Sequence, residues 1–176
     1  MPRSAPIYSH TQVGWWLIAT LGVVALAIAA IFSGVALDSE SLPPAQARMI
    51  GWAVVVTLVI TAALLTTLTV RLTSDRVAWH FGPGVIRFSL PLAEITSVAV
   101  TRTPLWAGIG IHWIFTGWVY NVSGRDAVEL TKRDGSRVWI GSDEPARLAA
   151  AIEGARAASG ATSGATGGAT PRSGSR

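Results

Sequence analysis

Residues 13–37 read VGWWLIATLGVVALAIAAIFSGVAL and residues 49–70 read MIGWAVVVTLVITAALLTTLTV, and neither stretch contains a charged side chain. Of the 176 residues in the chain 14% are charged, whereas a soluble domain normally carries about a quarter. A bilayer core about 30 Å thick requires roughly 20 apolar residues in a helix. The sequence therefore predicts two transmembrane helices, at 13–37 and 49–70, with the lipid bilayer as the first partner of the chain.

The segments that flank these stretches predict an orientation. Residues 1–12 form the N-terminal flank and residues 38–48 the connecting loop. Arginines are concentrated after the second stretch, at Arg71, Arg76 and Arg87, and positively charged flanks stay in the cytoplasm. We therefore predict a multi-pass protein of the cell membrane with both termini cytoplasmic and the loop outside. A cleaved signal peptide is the less favoured alternative, because the first apolar run exceeds the usual core of about 7 to 15 residues.

Alternation with a period of two follows the second stretch. Val77, Trp79 and Phe81 alternate with smaller or polar residues, which is typical of a half-buried strand. Gly82-Pro83-Gly84 is a turn signal, and VIRFSL resumes a strand at 85–90, so the two segments predict a hairpin.

A second hairpin and a helix are predicted towards the C-terminus. Asp134-Gly135 separates the alternating segments AVELTKR and SRVWIG and is the strongest short hairpin signal in the chain. Residues 143–157 begin with capping residues and place apolar side chains on one stripe, which indicates an amphipathic helix that packs on a sheet. Residues 158–176 are small and polar without apolar periodicity and predict a disordered tail.

Three segments resemble the bacterial pleckstrin-homology-like (PH-like) domains of small membrane proteins. They are LTSDRVAWHFGPG at 72–84, IRFSLPLAEITSVAV at 86–100, and GWVYNVSGRDAVELTKRDGSRVWIGSDEPARLAAAI at 117–152. The resemblance implies that residues 71–157 form a mainly-β domain, a bent antiparallel sheet or partly open barrel, with a C-terminal helix. The expected fold class is thus a membrane α-helical hairpin followed by a PH-like domain. The resemblance also implies a membrane-tethered binding or scaffolding module.

The segment PLWAGIGIHWIFTGW, at 104–118, departs from a simple strand pattern. The uncharged run from 103 to 124 is long enough for a third span, but Pro104 and four glycines oppose that interpretation. A loop and strand that cover one end of the barrel are favoured. Trp106, Trp113 and Trp118 then either touch the membrane interface or a partner, or form the core of the domain, and both possibilities stay open.

No arrangement of residues in the sequence indicates catalysis. There is no cysteine, the three histidines have no ligand spacing, and phosphate-binding or nucleophile motifs are lacking. We therefore expect no enzyme activity, no cofactor, no metal and no small-molecule substrate. Lysines and arginines are not clustered as in a nucleic-acid-binding face. The sequon Asn121-Val122-Ser123 falls in a predicted strand and is interpreted as coincidental.

Three functions remain for a membrane-anchored domain without a catalytic site. The favoured hypothesis is an interaction or scaffolding module that binds a protein partner or another copy of itself. The second is recognition of anionic lipids, for which Arg71, Arg76 and Arg102 are the candidate residues. The third is an accessory subunit of a membrane complex or transporter. A transporter itself is disfavoured because neither apolar stretch contains an ionisable residue.

Overall fold

The computed structural model describes residues 5–32, 44–103 and 108–165. Within these ranges the chain forms three α-helices and nine strands. In chain order they are β1 (Tyr8–Val13), α1 (Trp15–Ala30), α2 (Pro44–Leu65), β2 (Thr67–Leu72), β3 (Arg76–Phe81), β4 (Ile86–Pro91), β5 (Ile95–Arg102), β6 (Gly110–Ile114), β7 (Gly117–Asn121), β8 (Asp126–Lys132), β9 (Arg137–Gly141) and α3 (Pro145–Ala165).

The prediction of an N-terminal hairpin of two membrane-spanning helices, followed by a separate domain, is wrong. Only Ala45–Leu65, with a mean hydropathy of 2.1, is long and apolar enough to cross a membrane among the described residues. Helix α1 has 16 residues and is too short by the same criterion. It is also preceded by strand β1, which pairs with β2, so both helices are inserted between two neighbouring strands.

The physical reason lies at the ends of the two apolar stretches. Residues 67–70 carry no charge and so continue the apolar run in the sequence. They belong to strand β2, however, in which every second side chain, at Leu68, Val70 and Leu72, is buried in the core. The absence of charge does not distinguish a lipid-facing helix from a buried strand, because both consist of apolar and β-branched residues. The second stretch therefore ends its helix at Leu65 rather than at residue 70.

The first sheet, sheet A, has four antiparallel strands in the order β1-β2-β3-β4. Val77 lies opposite Leu90, which confirms the predicted hairpin of β3 and β4. Gly82 begins the turn with a φ of +52° and lies against the carbonyl oxygen of Ala63, where a Cβ atom would clash. This close approach places the β3–β4 turn beside the last turn of α2.

The second sheet, sheet B, has five strands in the order β5-β8-β9-β7-β6. The hairpin of β8 and β9 around Asp134-Gly135 is confirmed. Strands β7 and β9 are parallel, so the domain consists of two sheets with one parallel pair and not of one bent antiparallel sheet or barrel. Gly117 makes this pairing possible, because a side chain there would overlap the backbone of Arg137.

The hydrophobic core lies between the two sheets and α3. Its largest fully buried side chains include Phe81 of sheet A, Leu130 and Ile140 of sheet B, and Leu148 and Ile152 of α3. Helix α3 packs on β5 and β8, which confirms the predicted amphipathic helix on a sheet. It begins at Pro145 and continues to Ala165, into the segment predicted to be disordered.

Candidate functional site

The two apolar helices leave and re-enter the domain at one point, here called the helix root, which consists of Gly14 and Thr66. The backbone N–H of Gly14 donates to the carbonyl oxygen of Thr66 at 2.7 Å. Gly14 also packs against the carbonyl oxygen of Val122, and the side chain of Gln12 donates to the carbonyl oxygen of Ser123 at 2.9 Å. The helix root is therefore attached both to sheet A and to the β7–β8 turn of sheet B.

Strand β1 is also attached to the N-terminal end of α3. Nε2 of His10 lies 2.6 Å from a carboxylate oxygen of Asp143, and Nδ1 lies 3.7 Å from Glu144. The guanidinium of Arg147 lies over the ring of Tyr8 at 6.0 Å. These contacts connect β1, the strand that leads directly into α1, to the start of α3.

Helices α1 and α2 leave most of their apolar side chains uncovered. No residue of α1 is buried, and only 6% of the most apolar 18-residue stretch of α2 is buried. Trp15, Trp16 and Trp52 are 72%, 79% and 64% exposed. Two residues beyond the end of α1, the ring of Phe32 packs against Gly51 of α2. The contacts between the two helices still leave most of their large apolar side chains exposed.

A second apolar surface, here called the aromatic patch, consists of Trp113, Phe115 and Trp118 at the β6–β7 turn. Their exposed fractions are 58%, 95% and 43%. The rings of Trp113 and Trp118 meet edge-to-face with centroids 5.6 Å apart. The aromatic contacts continue inward to Tyr120 and Phe88, whose centroids are 4.6 Å apart. Trp113 and Trp118 are therefore the exposed end of a packed row of rings, and Phe115 occupies the turn between their strands.

The aromatic patch and the helix root lie at opposite ends of sheet B. Gly110 pairs with Asn121 at the open end of the β6–β7 hairpin. The residue that follows Asn121, Val122, contacts the helix root at Gly14. The closed end lies five residues further along β6, or about 16 Å at the usual rise of a strand. Phe115 is thus separated from the helix root by the length of the hairpin.

The candidate aromatic residues are partly brought together. Trp113 and Trp118 share the aromatic patch and are exposed, so the expectation that they form the core is wrong for these two. Trp106 lies outside the described residues. The described part of 103–124 forms strands β6 and β7, not a third span. Phe115 was missed, although its place between an aromatic-rich strand and Gly117 indicates an exposed hairpin turn.

The candidate arginines do not form one site. Nε of Arg76 donates to Asp75 at 2.8 Å, and Nε of Arg102 donates to Asp126 at 2.9 Å on the other sheet. Arg71 instead lines a groove with His80 and Arg87 on the outer face of sheet A. This set of three side chains is here called the basic groove.

The register explains why the basic groove forms. His80 lies directly opposite Thr69 on β2 and Arg87 on β4, and Arg71 is diagonal to His80 on the same face. Burial lowers the pKa of His80 below its usual value, and the positive charges of Arg71 and Arg87 lower it further. The groove therefore combines two fixed positive charges with an imidazole that is held neutral near pH 7.

Other features of the described residues do not indicate catalysis. No three His, Asp or Glu side chains among them are arranged to hold a metal ion. Asn121 is fully buried, donates to the carbonyl oxygen of Gly124 and accepts from the N–H of Ser123. An amide in this position is not accessible for glycosylation, which agrees with the interpretation of the sequon as coincidental.

Comparison with known proteins gives no family for the chain. No protein-family model matches the sequence, and no curated protein is significantly similar to it. The PH-like resemblance therefore receives no support from these comparisons and stays a prediction.

Proposed function

We propose that this chain is a membrane-anchored, non-enzymatic interaction module that binds a protein partner through the aromatic patch. The apolar surface of α1 and α2 lies in lipid and fixes the two-sheet domain at the bilayer surface. The single observation that carries the proposal is the location of Trp113, Phe115 and Trp118, exposed together at the end of sheet B remote from the helix root.

The uncovered helices support the anchoring. A soluble monomer rarely exposes a contiguous apolar patch above a few hundred Å². Leaving a large apolar side chain in water costs about 1.5 to 3 kcal/mol, and α1 and α2 expose many of them. Lipid removes this cost without any change in the domain, because both helices join the domain at their root ends and their remaining surface is uncovered.

The aromatic patch supports a protein partner. Tryptophan and aromatic rings that are held rigidly contribute most to binding at protein interfaces. The contact of Trp118 with Tyr120 and of Tyr120 with Phe88 holds Trp118, and through it Trp113, on the core, so these two side chains lose little freedom on binding. The separation from the helix root favours a protein over the anchoring bilayer as the ligand.

Site-specific photocrosslinking in membranes tests this proposal. A photoreactive phenylalanine analogue is placed at Phe115 of the full chain, and a matched control carries it at Val100, an exposed apolar position on β5. We expect one discrete protein adduct from position 115 and none from position 100. The substitution Trp118→Ala should reduce the adduct at least several-fold.

The mass of the adduct identifies the partner class. An adduct with twice the mass of the chain identifies a second copy, and any other mass identifies a different protein. Crosslinks from position 115 to lipid alone, or equal adducts from positions 115 and 100, would contradict the assignment of the aromatic patch to a protein partner.

A further inference from the structure

The basic groove is the strongest unassigned site in the described residues. It is lined by Arg71, His80 and Arg87, with Pro83 and Gly84 of the β3–β4 turn at its rim. The four strands of sheet A contain no aspartate or glutamate, so no acidic side chain of these strands neutralises the groove. The groove therefore has a net positive charge and opens to solvent.

The two arginines of the groove are not used by ion pairs within the described ranges. Arg76 and Arg102 have carboxylate partners at 2.8 and 2.9 Å, whereas neither Arg71 nor Arg87 forms such a pair there. Nε of Arg87 donates to the carbonyl oxygen of Gly84, which fixes the guanidinium over the turn. A guanidinium held in this way presents its terminal N–H groups to a phosphate in a fixed geometry.

One end of the groove, at the β3–β4 turn, lies beside the end of the apolar helix α2. Gly82, which precedes the rim of the groove, packs so closely on α2 that a Cβ atom at this position would lie 2.9 Å from the Cα atom of Leu64. Val85, at the tip of the same turn, is a 71% exposed apolar residue. If α2 is embedded in lipid, its last turn lies at the depth of the headgroups, and so does the β3–β4 turn.

We propose that the basic groove binds the phosphate of an anionic phospholipid headgroup, with Arg71 and Arg87 as the phosphate-binding residues. The lipid is preferred over a free phosphate because the β3–β4 turn beside the groove contacts α2 at Gly82 and carries the exposed apolar side chain of Val85. The site rests on the membrane anchoring proposed above, but it is independent of the aromatic patch. The lipid-binding residues proposed here are Arg71 and Arg87. Of the three arginines that the sequence suggested, Arg71, Arg76 and Arg102, only Arg71 belongs to the groove.

Lipid titration of the detergent-solubilised full chain tests this site. Native mass spectrometry measures the affinity for dioleoyl phosphatidylglycerol and for dioleoyl phosphatidylcholine. The wild type should prefer phosphatidylglycerol, and Arg71→Gln/Arg87→Gln should bind it about 25-fold more weakly, since each arginine contributes about 5-fold at a lipid surface. The matched control Arg76→Gln/Arg102→Gln removes the same charge outside the groove and should change the affinity less than 2-fold.

Two further variants keep the result interpretable. Arg71 is exposed, so the single variant Arg71→Gln should fold and still lose about 5-fold in affinity. The charge-retaining variant Arg71→Lys/Arg87→Lys should recover most of the preference for phosphatidylglycerol. Equal losses in the groove and control variants, or an unchanged affinity in the groove variants, would overturn the site.

Inorganic phosphate separates the two sources of the ligand. We expect it to compete with phosphatidylglycerol only weakly, because it lacks the acyl chains beside α2. Arginine-dependent binding of inorganic phosphate without a preference for phosphatidylglycerol would overturn the lipid assignment. Failure of the site in a chain that still requires detergent leaves the anchoring intact, whereas a chain that stays dissolved without detergent contradicts the anchoring itself.

Discussion

The backbone N–H of Gly14 donates to the carbonyl oxygen of Thr66 across 2.7 Å, so the residue before α1 and the residue after α2 are hydrogen-bonded neighbours. Both helices are thereby a single insertion between strands β1 and β2. A displacement of the helices at this point reaches both sheets, since Gly14 also packs on Val122 of the β7–β8 turn.

Substitution of Gly14 should disrupt the helix root. A Cβ atom at this position would lie 2.5 Å from the carbonyl oxygen of Val122, closer than real Cβ contacts allow. We expect Gly14→Ala to lower the free energy of unfolding by about 1 to 3 kcal/mol, the usual cost of overpacking. Thermal unfolding of the full chain in detergent measures the change.

Gly22 provides the control for that substitution. It lies within α1, and a Cβ atom there meets no other atom within 4 Å. Gly22→Ala should leave the unfolding temperature unchanged or raise it, because alanine favours a helix over glycine. Equal destabilisation by the two substitutions would show that the helix root is not the close contact described here.

The contact of His10 with α3 should hold strand β1 in place. His10→Ala removes the 2.6 Å contact with Asp143, and the exposed position limits the loss of global stability to about 1 kcal/mol or less. The local effect should be larger: the substitution should accelerate hydrogen exchange at the amides of β1 more than at those of β3. Unchanged exchange in β1 would show that the ladder with β2 holds the strand without this contact.

The protonation of His80 should report on the basic groove. Its pKa is lowered chiefly by burial and then by the charge of Arg71. Arg71→Gln should therefore raise the pKa of His80 part of the way towards the usual value of about 6.5. Histidine NMR of the full chain in micelles measures both values, and a wild-type pKa at or above 6.5 would contradict the structure.

The same shift predicts the sign of a pH effect on stability. A histidine whose folded pKa is lowered binds fewer protons when folded than when unfolded. The contribution of neutral His80 to the free energy of unfolding is fully present above the unfolded pKa of about 6.5. It is lost as the pH falls through the lower pKa of the folded state. His80→Gln should therefore reduce the loss of stability on acidification, measured as the unfolding temperature against pH.

The orientation in the membrane stays a prediction of the arginine bias and can be tested directly. Because the chain has no cysteine, Ala99→Cys introduces a single thiol at an exposed position of β5. A membrane-impermeant maleimide should label it only after the cells are permeabilised, since we predict that the domain is cytoplasmic. Labelling in intact cells would place the domain outside.

The local elements of the domain were predictable because their signals are short-ranged. The turns at Gly82-Pro83-Gly84 and Asp134-Gly135, and the stripe of α3 with Leu148 and Ile152, are each determined by a few neighbouring residues. Residue alternation and turn chemistry define such elements without knowledge of the rest of the chain.

The long-range pairings were not predictable from the same patterns. The pairing of β1 with β2 joins residues on both sides of two apolar helices, and the parallel pairing of β7 with β9 depends on the glycine at Gly117. The basic groove was missed for the same reason. Arg71 and Arg87 line one groove only because of the register of three strands, and Arg76 and Arg102 are equally prominent in the sequence.

Spin labelling of α2 tests whether the uncovered helices lie in lipid. Val56→Cys carries the label at a 53% exposed position of α2, and Ala99→Cys carries it on the domain of the full chain in bilayers. At Val56 we predict more collisions with dissolved oxygen, which partitions into lipid, than with a water-soluble nickel complex, and the reverse at Ala99. A label at Val56 that collides chiefly with the nickel complex would show that α2 lies in water and would contradict the membrane anchoring.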